Sequence, residues 1–234
     1  MGVVQRLTRI ALAATQPRDR WISRGPKSAQ AIALTFDDGP HPEHTPKLLD
    51  ILAKLEVTAT FFVIGQQAAR HPELIRRMVA EGHQVANHTW FHHEPTRLSS
   101  LALAAEVKET RALLEDLTGE AVTLFRPPKG ELTWEKIRTL WTLEQTIALW
   151  NIDPKDFAFK GPGDIAAWEA NYFPARGDIV LFHDNHPWAT TILPQLVEKT
   201  RALGLGLITL APWIKAARLR RHASLLNVEP AVTA

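Results

Sequence analysis

Two carboxylates stand side by side in Asp37-Asp38-Gly39-Pro40, and two imidazoles stand four apart in His88-Thr89-Trp90-Phe91-His92. Adjacent carboxylates repel each other, and a nearby cation is the natural remedy. Imidazoles at that spacing can meet on one ion from a helical turn or a tight loop. One carboxylate with two histidines leaves coordination positions open, which suits catalytic zinc and equally non-haem iron. Each run also has a plain reading when taken alone, a turn with a helix cap for the first and unrelated surface histidines for the second. Arg126 opens the run Arg126-Pro127-Pro128-Lys129-Gly130, whose prolines fix its direction, and such an arginine can hold a carboxylate by paired hydrogen bonds. His183 ends the apolar run Ile179-Val180-Leu181-Phe182. A lone histidine there is more often a structural group than a catalyst.

The elements that must position these groups show a rhythm of short apolar strands and longer amphipathic helices. Strands are expected over residues 31–36, 59–64, 84–87, 123–125, 147–150, 178–182 and 207–210. Helices are expected over 45–55, 72–81, 99–117, 133–143, 163–170, 190–203 and 212–221. Such alternation predicts an α/β fold with a parallel sheet, and about seven strands fit a closed barrel better than a wide open sheet. Asp37 and Asp38, His88 and His92, Arg126, Asp153 and Asp156, and His183 and Asp184 then follow successive strands. In parallel α/β folds, the C-terminal strand ends carry the active site.

The bulk composition narrows the function classes. The chain has 234 residues, 45% hydrophobic and 22% charged, the balance of a globular protein. A formal net charge of +2 does not suggest a nucleic-acid partner. With no cysteine, any metal must be held by His, Asp, Glu or backbone groups. No apolar run reaches the roughly 20 residues of a membrane span. Arg6 and Arg9 precede a short apolar stretch, residues 10–14, that faintly resembles a signal peptide but falls below the usual minimum of about 7 residues. No cleaved signal and a cytoplasmic location are therefore expected, with export left open. The expected organisation is an N-terminal segment (1–30), a single barrel domain (31–222) and a flexible tail (223–234). The basic cluster Arg218, Arg220 and Arg221 reads as a solvated helix end.

Taken together, TFDDGP (35–40), HTWFH (88–92), FRPPKG (125–130), residues 150–157 and LFH (181–183) resemble the polysaccharide deacetylases, the NodB-homology enzymes of carbohydrate esterase family four. The resemblance runs over about residues 31–212, with all five motifs in order. It implies a distorted (β/α) barrel and metal-dependent hydrolysis of N-acetyl groups on a glycan or amino-sugar precursor. It further implies Asp38, His88 and His92 as ligands of one divalent ion, Zn²⁺ first, with Co²⁺, Ni²⁺ or Mn²⁺ as alternatives. Asp37 would be the general base, oriented by Arg126, and His183 the general acid, tuned by Asp156. Leu181 would line the acetyl-methyl pocket. Pro128, Lys129, Trp150 and Phe157 would lie on the substrate side, and the Lys129 main-chain N–H would serve the oxyanion. Lys129 stands where the family usually has Tyr, and Phe157 where it commonly has Trp. The lysine is expected to add a positive charge that favours an anionic glycan. Trp90 and Trp188 are further candidate sugar platforms. Deformylase or cyclic-amide hydrolase activity on the same scaffold, a silent glycan-binding protein and an iron oxygenase are the competing readings.

Overall fold

A computed structural model of the chain describes residue 11 and residues 15–226. The other residues of the 6–14 stretch weighed as an export signal, and the tail beyond residue 226, lie outside the described residues. Among the described residues there are eight strands: β1 (Trp21–Ile22), β2 (Ala31–Asp37), β3 (Thr60–Val63), β4 (Gln84–Asn87), β5 (Leu124–Phe125), β6 (Thr146–Ala148), β7 (Ile179–His183) and β8 (Gly206–Ile208). Between and after them run α1 (His44–Lys54), α2 (Gly65–Arg70), α3 (Pro72–Ala80), α4 (Ser100–Thr118), α5 (Trp134–Thr142), α6 (Pro162–Asn171), α7 (Trp188–Ala202) and α8 (Ala211–Leu226). The expected alternation is there, with two additions that the pattern did not announce, β1 and α2. Helix α8 continues through Leu226, past its expected end at Arg221 and into the segment read as a tail.

Local chemistry sets the ends. Ser99 caps α4 by accepting the Ala102 N–H at 3.1 Å, and the helix stops at Gly119 in the left-handed conformation, φ 70°. Pro72 opens α3, where its missing N–H costs nothing.

Every strand pair is parallel, in the order β1-β6-β5-β4-β3-β2-β7, with β8 on β2. The sheet curls round because the chain leaving β6 reaches β7: Ile152 bridges Val180, and the Leu181 N–H donates to the Ile152 carbonyl at 3.0 Å. That single bridge closes a distorted barrel. Alternation then sorts the side chains. Ile32, Leu34 and Phe36 of β2 pack outward against Leu48, Leu49 and Leu52 of α1 and Ile192 and Leu196 of α7. Each such buried side chain contributes about 1.5–3 kcal/mol. Ala31 and Ala33 face inward with Phe62, Ala86, Leu124, Ala148 and Ile179, and Leu210, Trp213 and Ile214 close the bottom. Small residues keep this interior narrow. Thr35 and Asp37 share the inward face of β2 and rise from it toward the top.

Candidate active site

Asp37 ends β2 pointing inward, so an extended chain would send Asp38 outward. The backbone turns instead: Asp38 has φ 78°, a left-handed conformation that costs a non-glycine residue about 1–2 kcal/mol. Glycine must follow, because a Cβ at Gly39 would lie 1.9 Å from Oδ2 of Asp184. Beyond β4 the chain forms a tight loop, not a helical turn, in which Thr89 (φ 66°) and His92 (φ 59°) are also left-handed. The buried Asn87 fixes its start, accepting the Thr89 N–H at 2.9 Å and donating to the Val107 carbonyl at 2.8 Å. The first N–H groups of α2, from Gly65 and Gln66, donate to the Thr89 and Trp90 carbonyls at 2.9 and 3.0 Å.

These turns bring Asp38, His88 and His92 together, with ligand atoms within 4.8 Å of one another. The Nε2 atoms of His88 and His92 lie 3.4 and 3.2 Å from the same oxygen, Asp38 Oδ1. His88 Nδ1 is 2.8 Å from the Arg126 carbonyl, so it carries the proton and leaves a lone pair on Nε2. A neutral His88 therefore faces Asp38 lone pair to lone pair, a conflict that a divalent cation removes. Protons are the substitute. Burial disfavours a charged His88, but Asp37 and Asp38 outweigh it and raise its pKa. Burial also opposes ionised Asp38, yet hydrogen bonds from both imidazoles hold it far below the usual carboxylate range. One carboxylate and two imidazoles so placed fit a zinc-type ion that displaces those protons.

Arg126 is wholly buried, and each of its three nitrogens is engaged. Its Nη1 donates to Asp37 Oδ1 at 2.6 Å and Thr35 Oγ1 at 2.9 Å, Nη2 to the Leu149 carbonyl at 3.2 Å, and Nε to the Ala148 carbonyl at 3.3 Å. Its Cζ lies 3.9 Å from the Phe62 ring centroid and 5.4 Å from that of Trp150. One Asp37 oxygen is thus tied down, while the other, Oδ2, stands 3.7 Å from His88 Nε2. On the adjacent strand, β7 pairs with β2 in a register that sets His183 beside Asp37. Its Nδ1 is 2.7 Å from Oδ1 of the buried Asp156, and its main-chain N–H donates to Oδ2 at 2.8 Å. Burial alone would lower the His183 pKa, but the Asp156 bond and charge override it and push it up to about 9.

Residues 24–146 match the family model described as polysaccharide deacetylase. A chitooligosaccharide deacetylase of Sinorhizobium fredii is 39% identical over 170 residues, 72% of this chain and 78% of that one. The chain belongs to the polysaccharide deacetylase family. It is also 34% identical over 182 residues to the peptidoglycan-N-acetylmuramic acid deacetylase PdaC of Bacillus subtilis, covering 78% of this chain but 38% of that relative's length. Among solved structures, the Bc1960 peptidoglycan N-acetylglucosamine deacetylase superposes with a TM-score of 0.82 at 26% identity, over 89% of this chain and 97% of that one.

Around this deacetylase-family site, the remaining expected residues divide. Leu181 is buried two residues below His183 on the same face, paired in register with Thr35. Phe157 is half exposed and stands edge-on to His183, centroids 5.4 Å apart. Trp150 backs Arg126, and Pro128 is buried in the loop after β5. The Lys129 ammonium is exposed and paired with Glu94, which also takes Arg97 at 2.6 Å. Asp153 accepts the Lys155 N–H at 3.0 Å, an exposed turn contact apart from the Asp156–His183 pair. Trp90 packs on Gly65 of α2, and Trp188 on the outer core. Sequence reasoning assigned no role to Thr35, Asn87, Asp184 or Glu106. Thr35 stood inside TFDDGP, two residues before Asp37 on the same face, and that parity was the available signal. Asp184 is buried, accepts from Thr45 Oγ1 at 2.7 Å, and burial pushes its pKa up to about 7.

Proposed function

We propose that this chain is a metal-dependent deacetylase that hydrolyses N-acetyl groups of amino sugars in a glycan, with one divalent ion on Asp38, His88 and His92. The observation that carries the reading is an opposed pair. Asp37 is locked by Arg126 on one side, His183 by Asp156 on the other, and the three-ligand cluster stands beside Asp37. A bound Zn²⁺ would lower the pKa of its water toward about 7 and polarise the amide carbonyl. In the proposed reaction Asp37 accepts the proton of the attacking water through Oδ2, the oxygen that Arg126 leaves unclaimed. Arg126 holds Asp37 in place. The Lys129 main-chain N–H serves the oxyanion. His183, protonated at neutral pH by its raised pKa, gives its proton to the departing nitrogen. Leu181 and Trp150 wall the acetyl group, and Phe157 meets the sugar.

The names of the relatives support the N-acetylated amino sugars of peptidoglycan or chitin-type chains as the substrate class. Acetate release from N-acetylglucosamine oligomers tests the reading. Release should vanish on chelation, return with Zn²⁺ or Co²⁺, and fall at least about a hundredfold in Asp37→Asn. A folded protein that binds one ion yet releases no acetate from these oligomers or from peptidoglycan would overturn it.

A further inference from the structure

Glu106 lies on α4, outside every motif, and its side chain is buried. Its carboxylate reaches the loop between the two histidines. Oε2 accepts the N–H of Trp90 at 3.2 Å and of Phe91 at 3.1 Å, and Oε1 is 2.7 Å from His93 Nδ1. The amides from His88 to His92 are all engaged: His88 with the Val63 carbonyl, Thr89 with Asn87 Oδ1, Trp90 and Phe91 with Glu106, and His92 with Thr89 Oγ1. Asn87 ends β4 directly before the loop, and Thr89 belongs to the loop itself. Glu106 is the side chain that reaches in from another element. The loop holds two non-glycine residues at positive φ, a conformation that persists only where its surroundings over-determine it. Without Glu106, two adjacent amides lose their acceptor at the apex, midway between His88 and His92.

We propose that Glu106 is a positioning residue for the metal ligands, fixing the 88–92 loop through the Trp90 and Phe91 amides so that both imidazoles meet Asp38. This rests on the reading of Asp38, His88 and His92 as ligands. Glu106 touches neither imidazole of that set and acts through the backbone, so what it must supply is an acceptor at the right reach. Glutamine offers one: its carbonyl oxygen can take the two amides and its NH₂ can donate to His93 Nδ1. Alanine offers none, and aspartate is one methylene short.

Zn²⁺ affinity by calorimetry on wild type, Glu106→Gln, Glu106→Ala, Glu106→Asp and His88→Ala tests this, with amide hydrogen exchange at Trp90 and Phe91 in the metal-free proteins. Glu106→Ala and Glu106→Asp should weaken Zn²⁺ binding about 10- to 100-fold, the usual cost of losing an outer-shell partner. They should also speed exchange at those two amides. Glu106→Gln should stay within about threefold of wild type on the same grounds. Glu106→Ala with wild-type affinity and exchange overturns the proposal. Should that variant not fold, wild-type affinity and exchange in Glu106→Asp overturns it instead. Glu106→Gln as weak as Glu106→Ala also overturns it, because charge rather than reach would then be the requirement. Wild type that binds no Zn²⁺, or binds it as tightly after His88→Ala, removes the ligand reading and this proposal with it.

Discussion

At the scale of single residues, the two candidate proton carriers differ in how they are held. Asp37 is fixed by a guanidinium that has no exposure and bonds through all three nitrogens, so Arg126 can be neither shortened nor neutralised cheaply. Arg126→Met leaves a buried carboxylate uncompensated and should cost about 3–5 kcal/mol in chemical denaturation. Arg126→Lys should recover only part of that, because a point charge cannot meet four acceptors spread around a planar fork. Equal stability of wild type and Arg126→Met would refute this account. His183 is held by a carboxylate, and its folded pKa of about 9 lies above the unfolded 6.5. The stability that the His183–Asp156 pair contributes is therefore fully present below pH 6.5 and is lost as pH rises through about 9. In the metal-free protein, NMR should find His183 titrating near 9 and, in Asp156→Asn, well below that. The stability gap between the two proteins should narrow across the same window. Asp37, His183 and the three candidate ligands stood out in sequence because each lies at a strand end or in the loop just after one. Glu106 did not. On an amphipathic helix, a glutamate three positions before another glutamate reads as solvated surface, and only the folded loop shows that one is buried and the other, Glu109, exposed.

Elements place these residues by turns that the sequence marks only with small side chains. The turn after β2 brings Gly39 against Asp184, which is buried and tied to Thr45, so its carboxylate has no room to swing aside. Gly39→Ala should therefore cost about 1–3 kcal/mol as an overpacking change. In a double-mutant cycle, Asp184→Ser should take back much of that loss, since it removes the atoms the new methyl would strike. Additive effects of the two substitutions would rule out the contact as the cause. The elements that escaped sequence reading did so for physical reasons. β1 is two residues long, too short for any alternation to register. α2 has six residues, starts on glycine and buries only Gly65 and Ala68, so it has no apolar stripe. Its contribution is two N–H groups donated to the histidine loop, a backbone role that side-chain pattern cannot announce.

For the whole molecule, strand-helix alternation foretold a parallel barrel, but closure rests on one bridge at Ile152, in a stretch that reads as loop. The consequence is a barrel with a narrow interior below and a polar cluster above, where the three candidate ligands come from two loops that are otherwise separate. An ion that binds only this folded arrangement must stabilise the entire barrel through mass action. At a hundredfold excess over its dissociation constant the gain is about 2.7 kcal/mol. For a chain of this size, each kcal/mol moves the melting temperature about 2–4 °C, so Zn²⁺ should raise it by roughly 5–10 °C over the chelated protein. The same measurement separates the ligands from the proposed base. His88→Ala should abolish the rise. Asp37→Asn, which weakens the Arg126 pair, should lower the melting temperature with and without metal while leaving the rise itself nearly intact. If Asp37→Asn instead removes the rise as completely as His88→Ala does, Asp37 holds the ion, and the proton must leave the attacking water by another group.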